Sequence, residues 1–154
     1  MRFTTLFIAF IFSLPLLTGC QQDNPFGTVY VEGTVTLDGA AIDGVSVTFI
    51  PRDSGEQLSA GGVTSANGKF TLTAGGSPAG SGARPGTYDV IFSKEEIPQT
   101  ESPEEAVRLY GGGQPPVTYV IPRKYGSPVT SGIEPITVDT DRKKNSFTFV
   151  LTSE

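Results

Sequence analysis

Val29-Tyr30-Val31-Glu32-Gly33-Thr34-Val35-Thr36-Leu37-Asp38-Gly39, followed after Ile42 and Asp43-Gly44 by Val45-Ser46-Val47-Thr48-Phe49-Ile50-Pro51, is the stretch that decides the fold. Val29, Val31, Val35 and Leu37, then Val45, Val47 and Phe49, fall on every second position, with polar residues at most positions between. Side chains of a strand point alternately to its two faces, so this period predicts two strands, each buried on one side. Gly33 interrupts the first apolar face at a place where a bulge or a close approach is tolerated. Asp38-Gly39 predicts a turn, and Pro51 closes the second strand.

The pattern recurs downstream. Residues 58–64 form a weak, glycine-diluted strand, and Asn67-Gly68 predicts a hairpin turn into a strand at 69–73. Residues 74–84, with Gly75, Gly76, Gly80 and Gly82 and no apolar period, predict a mobile loop. Pro85-Gly86 suits the centre of a type II turn, and the strand after it sets Tyr88, Val90 and Phe92 on one face, as a central strand would. Ile136 and Val138, then Phe147, Phe149 and Leu151, give the last two strands. One helix is predicted, with Ser102 as N-cap, Pro103 at its first position, Glu105 completing a capping box and Gly111 at its exit. Ala106, Leu109 and Tyr110 share a face, and Glu104 and Arg108 form an i,i+4 pair. Residues 117–121 predict a short extended segment and 125–134 a turn-rich connection. About seven short strands with one short helix in a loop make an all-β fold, a single antiparallel β-sandwich over residues 28–154.

Ahead of this body stand Arg2 and a run of apolar residues to Leu17, too short to span a bilayer and without a charged stop. It reads as a signal peptide over residues 1–19. Leu17-Thr18-Gly19-Cys20 resembles the lipobox of bacterial lipoproteins, in which the thiol is alkylated with diacylglycerol and the chain is cut between Gly19 and Cys20. Small residues admit the peptidase, and only a thiol gives the thioether. Cys20 is the single cysteine, so no intrachain disulfide forms. Residues 20–27 are polar, with Asn24 and Pro25, and read as a flexible tether. Cleavage leaves 135 residues, enough for one domain with a core. The charge is then 10 basic residues against 16 acidic, net −6, which disfavours nucleic acid. Arg142, Lys143 and Lys144, the one basic cluster, fall between two predicted strands and read as a solvated turn.

The segments Gly33 to Gly39, Gly44 to Phe49 with Pro51, Thr64, Asn67-Gly68-Lys69-Phe70 and Pro85 to Val90 resemble the carboxypeptidase regulatory-like domain, a transthyretin-like β-sandwich found as an accessory module and in bacterial surface lipoproteins. Ile121 to Tyr125, Ser131-Gly132-Ile133 and Asn145 to Leu151 resemble the end of such lipoproteins. The resemblance covers nearly the whole mature chain and implies a fold, with no catalytic residue carried across. Where many relatives place Asp before the turn glycine, this chain has Asn67, which weighs against calcium there.

The chain has no histidine. That removes the usual general base of serine and cysteine hydrolases and the histidine ligands of zinc enzymes, and with them the activity of the transthyretin-like hydrolases of hydroxyisourate. Glu95-Glu96, Glu101, Glu104-Glu105 and Asp139/Asp141 are the available carboxylates, read as solvated faces or turn caps. Asp139-Thr140-Asp141 lacks the glycine and glutamate spacing of a calcium loop. No Gly-Lys-Ser/Thr follows the glycines at 75–82, so they predict no phosphate cradle. Tyr30, Tyr88, Tyr110, Tyr119 and Tyr125 are the candidates for a sugar-binding platform; Tyr88 reads as core and Tyr125 as packing a loop. The expectation is a non-catalytic protein without catalytic residues, cofactor or metal ligand. It is membrane-anchored by lipidated Cys20 in a bacterial cell envelope, faces the periplasm or exterior, and acts as a structural or protein-interaction module with envelope proteins as partners. The alternative is a ligand-binding surface lipoprotein for carbohydrate or metal.

Overall fold

The computed structural model describes residues 25–53, 55, 58–100 and 102–154. The expected signal segment, the expected cleavage site at Gly19 and Cys20, and most of the expected tether lie outside the described residues. Strands β1 (Glu32–Leu37), β2 (Ala40–Ala41), β3 (Ser46–Pro51), β4 (Ala60–Val63), β5 (Lys69–Thr71), β6 (Thr73–Ala74) and β7 (Gly86–Ser93) come first. A two-residue strand β8 (Glu95–Glu96), helix α1 (Pro103–Tyr110) and strand β9 (Thr118–Tyr119) follow, then a short helical turn α2 (Pro128–Ser131), β10 (Ile136–Val138) and β11 (Ser146–Leu151). Seven of these strands have three residues or more.

They form two sheets around one core, the predicted all-β sandwich. The larger runs β10-β7-β3-β4-β6 and is antiparallel throughout. In the smaller, β1 is flanked by β11 on one side and by β5 and β2 on the other. Val31, Val35, Val45, Val47, Phe49, Tyr88, Val90 and Phe92 are all buried, as the alternation predicts. Asp38 (φ 51°) and Gly39 (φ 82°) both take left-handed geometry between Leu37 and its partner Ala40, the type I′ turn that suits the twist of a two-residue hairpin.

Four expectations are corrected. The β1–β11 pair is parallel; alternation reports which face is buried but not strand direction, and the intervening chain is ample for the crossover a parallel pair needs. Asn67-Gly68 makes its turn, with Gly68 N–H donating to Ser65 O at 2.7 Å and Ser65 N–H to Lys69 O at 2.8 Å. The flanking strands then part: β4 pairs in the larger sheet and β5 in the smaller, so the turn is a corner between sheets and not a hairpin. Bare backbone at Gly62 permits the crossing, since a Cβ there would lie 2.4 Å from Thr71 O. Pro85-Gly86 opens β7 in place of the expected turn, and Gly86 pairs with Val138.

Residues 74–84 are pinned, contrary to the mobile loop their composition suggests. Val29 and Ala83 exchange backbone hydrogen bonds of 2.7 and 3.0 Å, Gly82 N–H donates to Leu72 O at 2.8 Å, and Ala83 is fully buried. Gly82 (φ 88°) is so close to β1's approach that a Cβ would lie 1.8 Å from Val29 O, while one on Gly80 (φ 71°) would touch nothing. Both positions carry the left-handed penalty, but only Gly82 adds a clash with backbone. Gly82→Ala is therefore expected to lower the midpoint of thermal unfolding well below that of Gly80→Ala. Equal losses in a melting experiment would contradict the pinned loop.

Candidate functional site

A strand's outward residues repeat every second position, so Tyr30, Glu32 and Thr34 leave the core face together while Val31, Gly33 and Val35 enter it. Pairing supplies the neighbours. Glu32 stands across from Thr71 of β5 and Ser146 of β11, and Thr34 across from Lys69 and Thr148. An open cleft of about 550 Å³ lies over these rows, walled on the corner side by Val63 and Ser65. Its floor is Phe70, whose ring fits beneath β1 because residue 33 is glycine; a Cβ there would lie 2.6 Å from Phe70 Cζ and from Phe147 O.

The polar groups of the cleft are held in place. Tyr30 Oη donates to Glu32 Oε2 at 3.0 Å, and the Arg142 guanidinium stands over the Tyr30 ring, 5.2 Å from its centroid. The bond to Glu32, then burial and the Glu32 charge, raise the Tyr30 phenol above its ordinary value, so it remains a donor at physiological pH. The Ser65 hydroxyl lies 2.7 Å from Asn67 Oδ1 and 2.9 Å from Lys69 O, fixing the corner that carries Lys69. The Lys69 ammonium has no ion-pair partner among the described residues. Among the described residues Glu32 is the one carboxylate lining this cleft, where glycoside hydrolysis uses a pair. The arrangement can donate and accept hydrogen bonds.

The other candidates are dispersed. Glu95 and Glu96 form β8, with Lys94 3.7 Å from Glu96. Glu104 and Glu105 lie in the first turn of α1, where Glu105 N–H donates to Ser102 Oγ at 3.2 Å. The helix ion pair is Glu105 with Arg108 at 3.9 Å, i,i+3, and Glu101 lies outside the described residues. Asp139 and Asp141 cap the turn after β10: Asp139 Oδ1 accepts from Asp141 N–H at 2.8 Å, its Oδ2 from Lys144 Nζ at 3.0 Å, and Asp141 Oδ1 from Lys143 N–H at 3.0 Å. Among the described residues no three His, Cys, Asp or Glu side chains group as a metal site would require. The glycines of 75–82 belong to the pinned loop. Of the tyrosines, Tyr88 is core and Tyr125 accepts from Thr152 N–H at 3.0 Å. Tyr119 lies under Arg123 on β9, 5.0 Å from ring centroid to guanidinium, Tyr110 ends α1, and Tyr30 is in the cleft.

Two polar residues escaped the sequence reading. Asn145 is buried; its Oδ1 accepts from Asp139 N–H and its Nδ2 donates to Asp139 O, both at 2.8 Å. Buried Thr64 donates to Ile42 O at 2.7 Å and accepts from Val45 N–H at 2.8 Å, positioning the start of β3. An Asx residue closing an Asp-x-Asp turn was the available signal for Asn145; nothing in the sequence signals Thr64's role as a brace. No family model, curated protein or solved structure matches the chain. No helix among the described residues is long and apolar enough to cross a membrane.

Asp139 is held below the usual carboxylate range by the Asp141 N–H and then by Lys144, and Asp38 by its hydrogen bonds from Ser153. A depressed carboxyl stabilises the fold fully above its unfolded value, about pH 4, and that contribution disappears as pH falls through the folded value. With no histidine to titrate, the unfolding temperature is expected to be flat between about pH 5.5 and 7.5 and to fall below about pH 4. Asp139→Asn should melt below wild type at pH 7, and the two curves should converge near pH 2. A gap that persists unchanged at acid pH would contradict this assignment.

Proposed function

We propose that the chain is a lipid-anchored, non-catalytic β-sandwich of a bacterial envelope, acting by where it is held and what its faces bind. The observation that carries the reading is Leu17-Thr18-Gly19-Cys20, with the single cysteine on the cleavage position after an apolar export segment. Two acyl chains contribute about 0.8 kcal/mol per buried methylene, enough for stable anchoring without an apolar patch on the body. The two-sheet body, its Asp38-Gly39 turn and its core at Val45, Val47 and Phe49 support the resemblance to the carboxypeptidase regulatory-like, transthyretin-like domain. A structural or interaction role with envelope proteins is supported by the surface that α1, β8 and β9 present, none of which has a buried residue.

A second reading, a ligand-binding surface lipoprotein, is favoured by the polar cleft over β1. Anchoring itself is tested by metabolic labelling with a radiolabelled fatty acid. Wild type is expected to incorporate label and sediment with membranes, and Cys20→Ala to do neither. Equal labelling of the two would remove the anchor.

A further inference from the structure

We infer that the cleft over β1 and β5 is a binding site for a neutral, hydroxyl-rich glycan chain; this deepens the reading of a non-catalytic envelope module by naming the class of ligand one face takes. The lining chemistry selects the class. Thr34, Thr71 and Ser146 present hydroxyls that both donate and accept, and Ser65, whose proton is taken by the corner, can still accept, which matches a ligand whose own groups are hydroxyls. The single carboxylate, Glu32, accepts and the single ammonium, Lys69, donates, and their opposite charges leave the lining balanced. A polyanion such as nucleic acid needs an excess of cations along its path.

Lining chemistry and backbone pairing narrow the occupants. The cleft, about 550 Å³ and open, is within the size range of small-ligand sites, and its lining is about evenly polar and apolar, as suits a sugar ring that carries hydroxyls at its rim and C–H groups on its faces. Phe70 beneath it is only 3 % exposed, so the apolar surface of the cleft comes from Tyr30 and the exposed Val63. A peptide joining by strand addition needs an open sheet edge. Here β1 is already paired on both sides, with β11 through its whole length and with β5 under the cleft, so the line of the cleft is closed to an added strand and the sheet's open edges lie outside it on β5 and β11. Tyr30 supplies an aromatic ring at the cleft, held by Arg142 and by its bond to Glu32, so little side-chain freedom remains to be lost on binding.

The test is calorimetric titration of the full chain, in a polyoxyethylene detergent free of sugar, with cellohexaose, chitohexaose, maltohexaose and xylohexaose, and with an oligogalacturonate as the acidic comparison. Saturable binding of at least one neutral hexasaccharide is expected, weakened roughly tenfold or more by Tyr30→Ala. Thr71→Val, near-isosteric and favourable in a strand, is expected to weaken it as well and keeps the test decisive should Tyr30→Ala fail to fold. Tyr119→Ala, which removes an exposed tyrosine from another part of the surface, should leave affinity unchanged. No saturable binding, binding indifferent to both cleft variants, or a preference for the acidic oligomer would overturn the site. Binding accompanied by new reducing ends would uphold the site and overturn the non-catalytic reading, and neither result depends on whether Cys20 is acylated.

Discussion

The fold depends on a cluster of rings packed between two sheets, with Phe49 at its centre and Phe92 of β7 crossing to Phe149 of β11 at 5.0 Å beside it. Phe49 of β3 is fully buried, with its centroid 6.0 Å from Tyr88 in its own sheet and 6.4, 5.9 and 6.3 Å from Phe70, Phe147 and Phe149 in the opposite one. Three of these pairs meet edge to face, the arrangement that sets a positive ring edge against a negative ring face. Each such pair contributes about 0.5–1.5 kcal/mol beyond its area, and truncating a buried phenylalanine costs about 3–5 kcal/mol. Total stability of a domain this size is about 5–15 kcal/mol, so this one side chain carries a large share of what holds the sheets together.

That inner weld determines what remains for function. Because Phe70 reaches the cluster through the space Gly33 leaves open, the outward side chains of β1 rest on a supported floor and Tyr30, Glu32 and Thr34 keep fixed relative positions. The excursion made by β8, α1 and β9 is built differently. Its ladder is only two residues long on each strand, and α1 has no buried residue, with Val107 and Leu109 exposed. An eight-residue helix is short of the length that is stable alone in water, and its caps at Ser102 and Gly111 are what define it. The rigid face and the loosely held excursion are thus separate resources of one small domain.

Local physics was legible in the sequence. Alternation at Val45, Val47 and Phe49 and at Tyr88, Val90 and Phe92 located the core, Asp38-Gly39 a turn, and Ser102-Pro103 with Gly111 the helix. Features set by contacts distant along the chain were not legible. Nothing in Phe147 to Leu151 states that its neighbour runs parallel, and Asn67-Gly68 closes the same turn whether the following strand stays in its sheet or leaves it. Glycine at 82 looks like flexibility until Val29 is placed against it. The cleft escaped for the same reason: Tyr30 and Glu32 read as an exposed strand face, but their convergence with Lys69, Thr71 and Ser146 needs β5 and β11 on either side of β1.

If the ring cluster centred on Phe49 joins the two sheets, weakening its central member must loosen both. Native-state hydrogen exchange of the full chain, wild type beside Phe49→Leu, measures this strand by strand. The slowest amides of β1 and β11 are predicted to lose the same opening free energy as those of β3 and β7. A loss confined to β3 and β7, with β1 and β11 as protected as before, would contradict the account.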